Sequence, residues 1–347
     1  MPTQKKEIKT NLAKRVKTGN TALEVEVTQP DEDNNENEKF GYGQVVEVKL
    51  FELNKTREYM ICEAVGEGGY SSVHLANDLS SEDVFVAVKC IDLTSPKVQR
   101  LGKQTEFEVE ILQKLQHSDY VVQLLAVKTI PNQVIYIFME LGSDTLSKIF
   151  YDKRQEKTSV TTPFVVSYWT QILKAVAYIH KNDVLHCDIK LDNFVTVDGP
   201  SIRIKLIDFG CATRLSPLTD AVIRRKTLGT IRYMAPEYLK YRLVSKESDV
   251  WALGVVLYFM FMGVTPFKGT RSEARMAIIN KEAEVSDVPD AAALATLQAI
   301  FQHDRELRPS CNKLLRKSFV SGTSTTNSQG SSTDKDSTSA NDASSSK

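Results

Sequence analysis

The architecture of this chain is indicated most strongly by two stretches of its sequence, His186-Cys187-Asp188-Ile189-Lys190-Leu191-Asp192-Asn193 and Asp208-Phe209-Gly210. One loop can present Asp188, Lys190 and Asn193 together to a hydroxyl group, a terminal phosphate and a Mg²⁺ ion. Asp208, fifteen residues after Asn193, would supply the other metal contact. Either stretch alone is compatible with a solvated loop, so the interpretation depends on the motifs around them.

A glycine-rich stretch, Gly66-Glu67-Gly68-Gly69-Tyr70-Ser71-Ser72-Val73, lies between two predicted strands. Small residues let backbone N–H groups approach a polyphosphate without interference from Cβ atoms. A glycine hairpin that binds no ligand would look the same, so the stretch is a weak signal by itself. The dinucleotide-binding motif is excluded because it runs from a strand into a helix, whereas strand-like residues follow here.

Val86-Ala87-Val88-Lys89 places a lysine at the end of an apolar strand, about twenty residues downstream of the glycines. Such a lysine can hold the α- and β-phosphates of a nucleotide if a carboxylate from the next helix orients it. Glu108 is the candidate, because helical geometry turns Glu106 and Glu110 toward other faces. The alternative is an ordinary solvated lysine at a strand end.

These ordered motifs resemble the protein kinase family, and the resemblance covers about Tyr59 to Val320. Three further motifs complete the set: Gly229-Thr230-Ile231-Arg232-Tyr233-Met234-Ala235-Pro236-Glu237, Asp249-Val250-Trp251-Ala252-Leu253-Gly254 and Leu307-Arg308-Pro309-Ser310. The resemblance implies that Glu237 pairs with Arg308 to brace the larger lobe. It also implies that Asp249 anchors the loop around Asp188 from a central helix.

The same resemblance implies a site for ATP between two lobes. The glycine-rich stretch from Gly66 to Val73 would cover the phosphates, and the adenine ring would lie against Val73 and Ala87. The backbone around Glu140 and Leu141 would bond to the edge of the adenine, with Met139 at the back of the pocket.

Roles for the charged residues also follow from the resemblance. Lys89, oriented by Glu108, would hold the phosphates, and the metal ligands for Mg²⁺ would be Asn193 and Asp208. Asp188 would accept or orient the substrate hydroxyl, and Lys190 would neutralise charge on the γ-phosphate. The chain is thus expected to be an ATP-dependent kinase of protein serine and threonine hydroxyls.

A narrower resemblance is to the monopolar-spindle (TTK-like) checkpoint kinases. It implies tyrosine as an additional target, a role in mitosis and an association with kinetochores. It rests on Val46-Glu47-Val48, on Tyr136 to Gly142 and on Asn193 to Gly199, and on the lack of arginine before the catalytic aspartate. The competing hypothesis is a pseudokinase, a kinase-shaped docking module. Its only hints are Ser71, which replaces a glycine, Cys187, and the short chain.

Cys187 removes a guanidinium that in many kinases binds a phosphate on the activation segment, here Asp208 to Glu237. Activation by phosphorylation would then need another cation, from Arg224, Arg225 or Lys226. Thr227, which follows this cluster directly, is the first candidate for autophosphorylation, with an unmodified turn residue as the alternative.

Charge balance, cysteine spacing and hydropathy limit the partners and the location that can be expected for this chain. The 44 basic and 44 acidic residues cancel, which removes any whole-chain argument for binding nucleic acid or an anionic membrane. Six basic residues within the first 17 leave an N-terminal nucleic-acid-binding arm as an alternative. The five cysteines show no C-x-x-C spacing, so an intracellular location, cytoplasmic or nuclear, is expected. The uncharged run from Val250 to Phe267 contains only about 15 helical residues, which predicts a core helix rather than a membrane span.

The order of the patterns predicts an α+β, two-lobed protein-kinase fold, with a small antiparallel β lobe that carries one helix and a larger, mainly helical lobe. We expect a disordered arm at residues 1–40, a lead-in segment at 41–58, the kinase domain at 59–320 and a disordered Ser/Thr-rich tail at 321–347. Within the domain, the smaller lobe is predicted to span 59–140 and the larger lobe 141–320. Expected partners are protein substrates and ATP; oligomeric state is not indicated.

Overall fold

The computed structural model describes residues 42–51, 55–67, 71–81, 84–94, 102–156, 160–199, 201–281 and 283–321 of the chain. The predicted arm at 1–40 and residues 322–347 of the predicted tail lie outside this described part, as do Gly68, Gly69 and Tyr70 of the glycine-rich stretch.

The smaller lobe is built on one antiparallel sheet of six strands, in the order β1-β2-β3-β4-β6-β5. The strands are β1 (Val45–Lys49), β2 (Thr56–Glu67), β3 (Ser72–Asp78), β4 (Phe85–Asp92), β5 (Leu124–Ile130) and β6 (Val134–Met139). Burial alternates along β4, because successive side chains of a strand point to opposite faces. Val86, Val88 and Cys90 therefore pack into the core of the sheet, while Ala87 and Lys89 face the other way.

The two edge strands of this sheet are β1 and β5. The segment predicted to lead into the smaller lobe contains β1, which pairs with β2 and so forms an edge strand of the same sheet. At the other edge, the apolar, β-branched pattern of residues 121–127 predicts a strand over that whole range, but β5 begins later, at Leu124. The reason is that Val121 instead forms a parallel bridge to Leu206, and the backbone of Gln123 bonds to Glu140.

Helix α1 (Gly102–Lys114) is the helix of the smaller lobe, and the larger lobe is mainly helical. Its helices are α2 (Leu146–Gln155), α3 (Thr162–Lys181), α4 (Pro236–Tyr241), α5 (Lys246–Met262), α6 (Arg271–Asn280), α7 (Ala291–Ile300), α8 (Cys311–Leu315) and α9 (Ser318–Ser321). Short antiparallel pairs of strands lie in the segments between helices: β7 (Val184–Leu185) with β10 (Thr213–Arg214), β8 (Phe194–Val197) with β9 (Arg203–Leu206), and β11 (Ala221–Ile223) with β12 (Leu243–Ser245). The predicted α+β, two-lobed fold is confirmed.

Helix α5 forms the centre of the larger lobe. It begins with a capping box between Ser245 and Ser248, and it ends at Gly263, which adopts a left-handed φ of 73°. Trp251, Leu253 and most of its other apolar side chains are buried, as expected of a helix that is apolar on every side. The prediction of a core helix is confirmed, and no helix among the described residues is long and apolar enough to cross a bilayer.

The predicted pair of Glu237 and Arg308 is present in the interior of the larger lobe. The Arg308 Nη1 and Nη2 atoms lie 2.8 and 2.9 Å from the two carboxylate oxygens of Glu237. Arg308 also donates to the backbone oxygens of Gln302 and Glu247, and it lies over the ring of Trp251. Both charged side chains are buried, so each depends on the other for compensation.

We therefore expect Arg308→Ala to destabilise the protein by about 3–5 kcal/mol, because it leaves the carboxylate of Glu237 buried without its cation. Urea denaturation of the two proteins measures this difference. Arg271→Ala, at an exposed arginine, is the matched control, with an expected change of about 0.5 kcal/mol or less. A loss for Arg308→Ala no larger than for the control would contradict the structural role.

Candidate active site

The loop from His186 to Asn193, called the catalytic loop below, is fixed from beneath by the carboxylate of Asp249 in α5. Asp249 Oδ2 accepts the His186 N–H and Oδ1 accepts the Cys187 N–H, both at 2.9 Å. Its Oδ2 atom also lies 2.9 Å from Nε2 of His180 in α3. With these bonds Cys187 is held in a left-handed conformation, with φ of 62°. The anchor predicted for Asp249 is therefore present.

Asp188 is buried in this loop, with its carboxylate bound on both oxygens. Oδ1 accepts the Thr230 N–H at 2.8 Å, and Oδ2 lies 2.9 Å from Lys190 Nζ. Lys190 Nζ also donates to the Thr230 hydroxyl at 3.2 Å. A Cβ atom at Gly229, which has φ of 101°, would lie 2.8 Å from the Cys187 carbonyl oxygen, so only glycine allows this approach. The structure thus joins the catalytic loop to the activation segment at Asp188.

Asn193 contacts Asp188, and the backbone next to Asp208 is bound to Asn193, because the Ile207 N–H donates to the Asn193 carbonyl oxygen at 2.9 Å. The side-chain N–H of Asn193 donates to the Asp188 carbonyl oxygen at 2.8 Å, which leaves its amide oxygen as an acceptor. Asp208 has φ of 58°, and its Oδ1 is bound to Lys89 and to the Gly210 N–H. Its side chain is 48% exposed, so a carboxylate oxygen is open to a ligand.

Oxygen donors of this kind are those that Mg²⁺ prefers, and Mg²⁺ in nucleotide sites takes one or two protein ligands together with phosphate oxygens. The described residues contain no group of three His, Cys, Asp or Glu side chains that could hold a metal on their own. The pair Asn193 and Asp208 therefore fits a metal ion that arrives with a polyphosphate.

Lys89 connects the two lobes electrostatically. Its Nζ atom lies 2.7 Å from Glu108 Oε1 on α1 and 2.8 Å from Asp208 Oδ1. The rival carboxylates point elsewhere: Glu106 is exposed and Glu110 lies 3.5 Å from Arg214. Of the three glutamates, Glu108 is the one that contacts the lysine.

The charges in this cluster shift one another's protonation. Burial lowers the pKa of Lys89, but the attraction of Glu108 and Asp208 outweighs burial and raises the pKa above its usual value. The Lys89 ammonium holds the pKa of Asp208 at about 2. Burial raises the pKa of Glu108 in spite of the lysine beside it. Lys89 is therefore a cation, and Asp208 an anion, throughout the neutral range.

The strand register places the predicted nucleotide-binding side chains on one face of the sheet. Val73 pairs with Lys89, and Ala87 pairs with Met139. Since residues two apart on a strand share a face, Val73, Ala87, Lys89 and Met139 all project from the same side. All four are half-buried, in contrast to the fully buried side chains of the opposite face.

The described ends of the glycine-rich stretch lie on the paired strands β2 and β3. Gly66 pairs with Val73 and Glu67 pairs with Ser72. The hydroxyl of Ser72 lies 2.9 Å from His74 Nε2, and Ser72 is buried. Ser71, which stands in place of a third glycine, is half-buried. The described ends of the stretch are thus close to Lys89, which pairs with Val73.

The connection between the lobes uses both the backbone and the side chain of Glu140. Its N–H donates to the Gln123 carbonyl oxygen at 3.0 Å, so only the carbonyl of Glu140 can meet a ligand. Within the described part of the chain, the backbone groups of Leu141 and Gly142 carry no hydrogen bond and are open to the edge of a base. A Cβ atom at Gly142 would lie 2.7 Å from Val195, so this position requires glycine.

Sequence patterns did not identify several residues that hold the site together. The Glu140 carboxylate accepts the Gln123 N–H at 2.6 Å and forms a short ion pair with Lys205, which links both lobes to their connection. The sequence analysis also did not predict the hydrogen bond between His180 and Asp249. These contacts join residues 17 or more positions apart, so no local pattern reports them. The one available signal was Lys205, a charged residue between the apolar residues Ile204 and Leu206 of β9.

His180 is expected to make stability depend on pH. Burial lowers its pKa, but hydrogen bonds to Asp249 and Cys311 outweigh burial and raise the pKa from 6.5 to about 9. A raised folded-state pKa gives stability that is complete below the unfolded-state pKa and is lost as the pH rises through the folded-state pKa. The free energy of unfolding should therefore fall between pH 6.5 and pH 9, by roughly 1.4 kcal/mol for each unit of pKa shift.

Urea denaturation across this pH range, for the wild type and for His180→Gln, measures the effect. Glutamine keeps a donor for Asp249 but does not titrate, so the variant should lose the slope. His117→Gln, at an exposed histidine, should keep it. Parallel curves for the wild type and His180→Gln would show that the histidine is not charged in the folded protein.

Comparison with known proteins agrees with this geometry. A family model described as "Protein kinase domain" matches residues 59–320. The mouse dual specificity protein kinase TTK is 33% identical over 280 residues, which cover 76% of this chain and 31% of the mouse protein. The Dictyostelium discoideum probable serine/threonine-protein kinase mps1 is 30% identical over 279 residues, or 76% of this chain and 28% of that protein.

A relative of more similar length is the Caenorhabditis elegans calcium/calmodulin-dependent protein kinase type 1, at 31% identity over 273 residues, or 76% of this chain and 75% of that protein. By contrast, the chain spans about a third or less of the length of the TTK and mps1 relatives. Family model, relatives, fold and site lead to one assignment. The chain belongs to the protein kinase family, a family of ATP-dependent phosphotransferases.

Proposed function

We propose that this protein transfers the γ-phosphate of ATP to serine and threonine hydroxyls of protein substrates. The observation that supports this most is the placement of Lys89, Asp188, Asn193 and Asp208 where the two lobes meet. The unit that does so would be residues 59–320, with the smaller lobe at 59–140 and the larger lobe at 141–320.

Asp188 is proposed to orient the substrate hydroxyl and to accept its proton. The bond from the Thr230 N–H holds the carboxylate in place and leaves lone pairs on both of its oxygens free. The segment that begins at Gly229 and Thr230 therefore brings a bound peptide next to this carboxylate. A hydroxyl that bonds to Asp188 is aligned for attack on phosphorus.

Lys190 is proposed to neutralise charge on the transferred phosphoryl group. Burial lowers its pKa, but the Asp188 carboxylate outweighs burial and raises the pKa, so the ammonium stays charged at neutral pH. A fixed cation 2.9 Å from the orienting carboxylate stabilises negative charge where it develops.

The nucleotide would be held by residues of both lobes. Lys89, oriented by Glu108, would bind the phosphates beneath the stretch Gly66 to Val73, and Asn193 and Asp208 would hold Mg²⁺. When bound, Mg²⁺ neutralises phosphate charge. Adenine would lie between Val73 and Ala87 above and Val195 below, near Met139, with its edge at the Glu140 carbonyl and at Leu141.

Tyrosine is proposed as a second target, in addition to serine and threonine. Contact between Lys190 and the Thr230 hydroxyl supports transfer to Ser and Thr, whereas similarity to a relative named as a dual specificity kinase supports Tyr. Similarity to TTK and mps1 also supports a role in mitotic spindle checkpoint signalling. Cells that carry only Asp188→Asn should then fail to delay division when spindle microtubules are depolymerised.

The alternative of a pseudokinase is not supported. A docking module has no physical need for a buried lysine that bonds two carboxylates, or for an open carboxylate beside an open amide oxygen. The features that suggested this alternative, Ser71 and Cys187, leave these groups in place.

Transfer of labelled phosphate from Mg·ATP to the protein itself and to a mixed Ser/Thr/Tyr substrate tests the proposal. Asp188→Asn should lower kcat by about 10²–10⁴, because the amide cannot accept the proton. Asp192→Asn, an exposed carboxylate in the same loop, is the matched control and should retain activity.

Both variants should melt near the wild-type temperature, which separates chemistry from folding. Equal activity of Asp188→Asn and the wild type, or no transfer by the wild type in Mg²⁺, would contradict the proposal. The identity of the labelled residues decides between Ser/Thr and dual specificity.

A further inference from the structure

The position before Asp188 lacks a positive charge. Cys187 occupies it, and its thiol is half-buried beneath the activation segment. Burial raises the pKa of this thiol far above its usual value, so it supplies neither a cation nor an anion. The two loops that meet here, one leading to Asp188 and one leaving Asp208, therefore receive no charge from position 187.

The activation segment places a guanidinium at this point. Strand β11 pairs with β12 through Ala221 and Ser245, Val222 and Val244, and Ile223 and Leu243. Directly after β11, the Arg224 N–H donates to the Arg242 carbonyl oxygen at 2.9 Å. The side chain of Arg242 returns a bond to the carbonyl oxygen of Arg225 at 2.8 Å. The backbone on both sides of the Arg224 side chain is thus fixed to the body of the larger lobe.

The Arg224 side chain then points inward, into the junction of the two loops. Its Nη1 atom donates to the carbonyl oxygen of Cys211, the residue that follows Asp208-Phe209-Gly210. The same guanidinium lies beside the Cys187 thiol, whose pKa it lowers against the larger effect of burial. Its charge also acts on Tyr238, which bonds to both backbone groups of Leu228. A single cation thus bonds to the backbone that follows Asp208 and acts on the thiol that precedes Asp188.

We propose that Arg224 is a positioning residue for phosphoryl transfer: its guanidinium takes the place of the basic side chain missing before Asp188 and ties the start of the activation segment to the catalytic loop. This inference rests on the proposed kinase function. The sequence left Arg224, Arg225 and Lys226 as equal candidates for a cation near position 187. Arg225 and Lys226 are exposed, whereas Arg224 is half-buried.

The contact does not need a phosphate. Arg224 bonds to a neutral carbonyl oxygen within the unmodified chain, and Thr227, the candidate phosphorylation site, is exposed three residues away. The catalytic loop and the metal-binding segment are therefore connected before any modification of Thr227. Thr227→Ala should leave the dependence on Arg224 intact.

Steady-state kinetics of the full chain test this assignment. Arg224→Ala should lower kcat roughly ten- to a hundredfold, the equivalent of one or two hydrogen bonds to a charged group, with less effect on the KM for ATP. Arg225→Ala is the matched control, because it removes an adjacent arginine and keeps the backbone carbonyl that Arg242 binds. Its kcat should stay within about twofold of the wild type.

A rescue experiment separates positioning from general stability. Cys187→Arg combined with Arg224→Ala supplies a guanidinium from the opposite side of the same junction, and it should restore most of the lost kcat. Cys187→Arg alone reports whether the substitution is tolerated, through its melting temperature. An unchanged kcat in Arg224→Ala, or a folded double variant with no recovery, would overturn the assignment.

Amide hydrogen exchange tests whether Arg224 positions the two loops, independently of kinase activity. Arg224→Ala should speed exchange of the Thr230 N–H, which binds Asp188, and of the Ala212 N–H, which binds Phe209, while Arg225→Ala should not. Exchange equal to that of the wild type at both amides would overturn the inference even if the protein transfers phosphate. Faster exchange in Arg224→Ala, together with a wild type that transfers no phosphate, would support the contact and reject the kinase function instead.

Discussion

The carboxylate of Asp249 is the constraint on which the rest of the site depends. It is buried in the central helix α5 and cannot remain there uncompensated, so it accepts backbone N–H groups from His186 and Cys187 and pairs with His180. These bonds determine the left-handed backbone at Cys187, which an isolated loop would not adopt. The position of Asp188 is therefore set by the core of the larger lobe.

The two lobes, in contrast, are connected by charges. Lys89 bonds to Glu108 of the smaller lobe and to Asp208 of the larger one, and Glu140 bonds to Lys205 where the chain crosses between them. An ion pair depends on distance and geometry far more than an apolar contact does. Small displacements of α1 or of the Asp208 segment therefore change the state of the site without disturbing either core.

Sequence spacing predicted much of this arrangement, and its failures have a common cause. Asp188, Lys190 and Asn193 lie within one short loop, and helical periodicity favoured Glu108 over its neighbours, so local patterns were sufficient there. The start of β5, the three-residue strands β11 and β12, and the contact of Glu140 with Lys205 were not predicted. Each depends on a partner distant in sequence, and three residues carry too little periodicity to identify a strand.

The cysteine before Asp188 shows why a motif and a mechanism are different descriptions of a site. A motif specifies which residue type occupies a sequence position. The electrostatic requirement is only that a charge occupies a certain location in the folded protein, whichever residue supplies it. Arg224 lies 37 residues after Cys187 in the chain. The β11–β12 pair brings its guanidinium to the carbonyl oxygen of Cys211, where its charge also acts on the thiol of Cys187. The lack of arginine at position 187 is therefore compatible with an ordered site. The fold supplies a guanidinium from the activation segment, the segment that an arginine at position 187 would have bound.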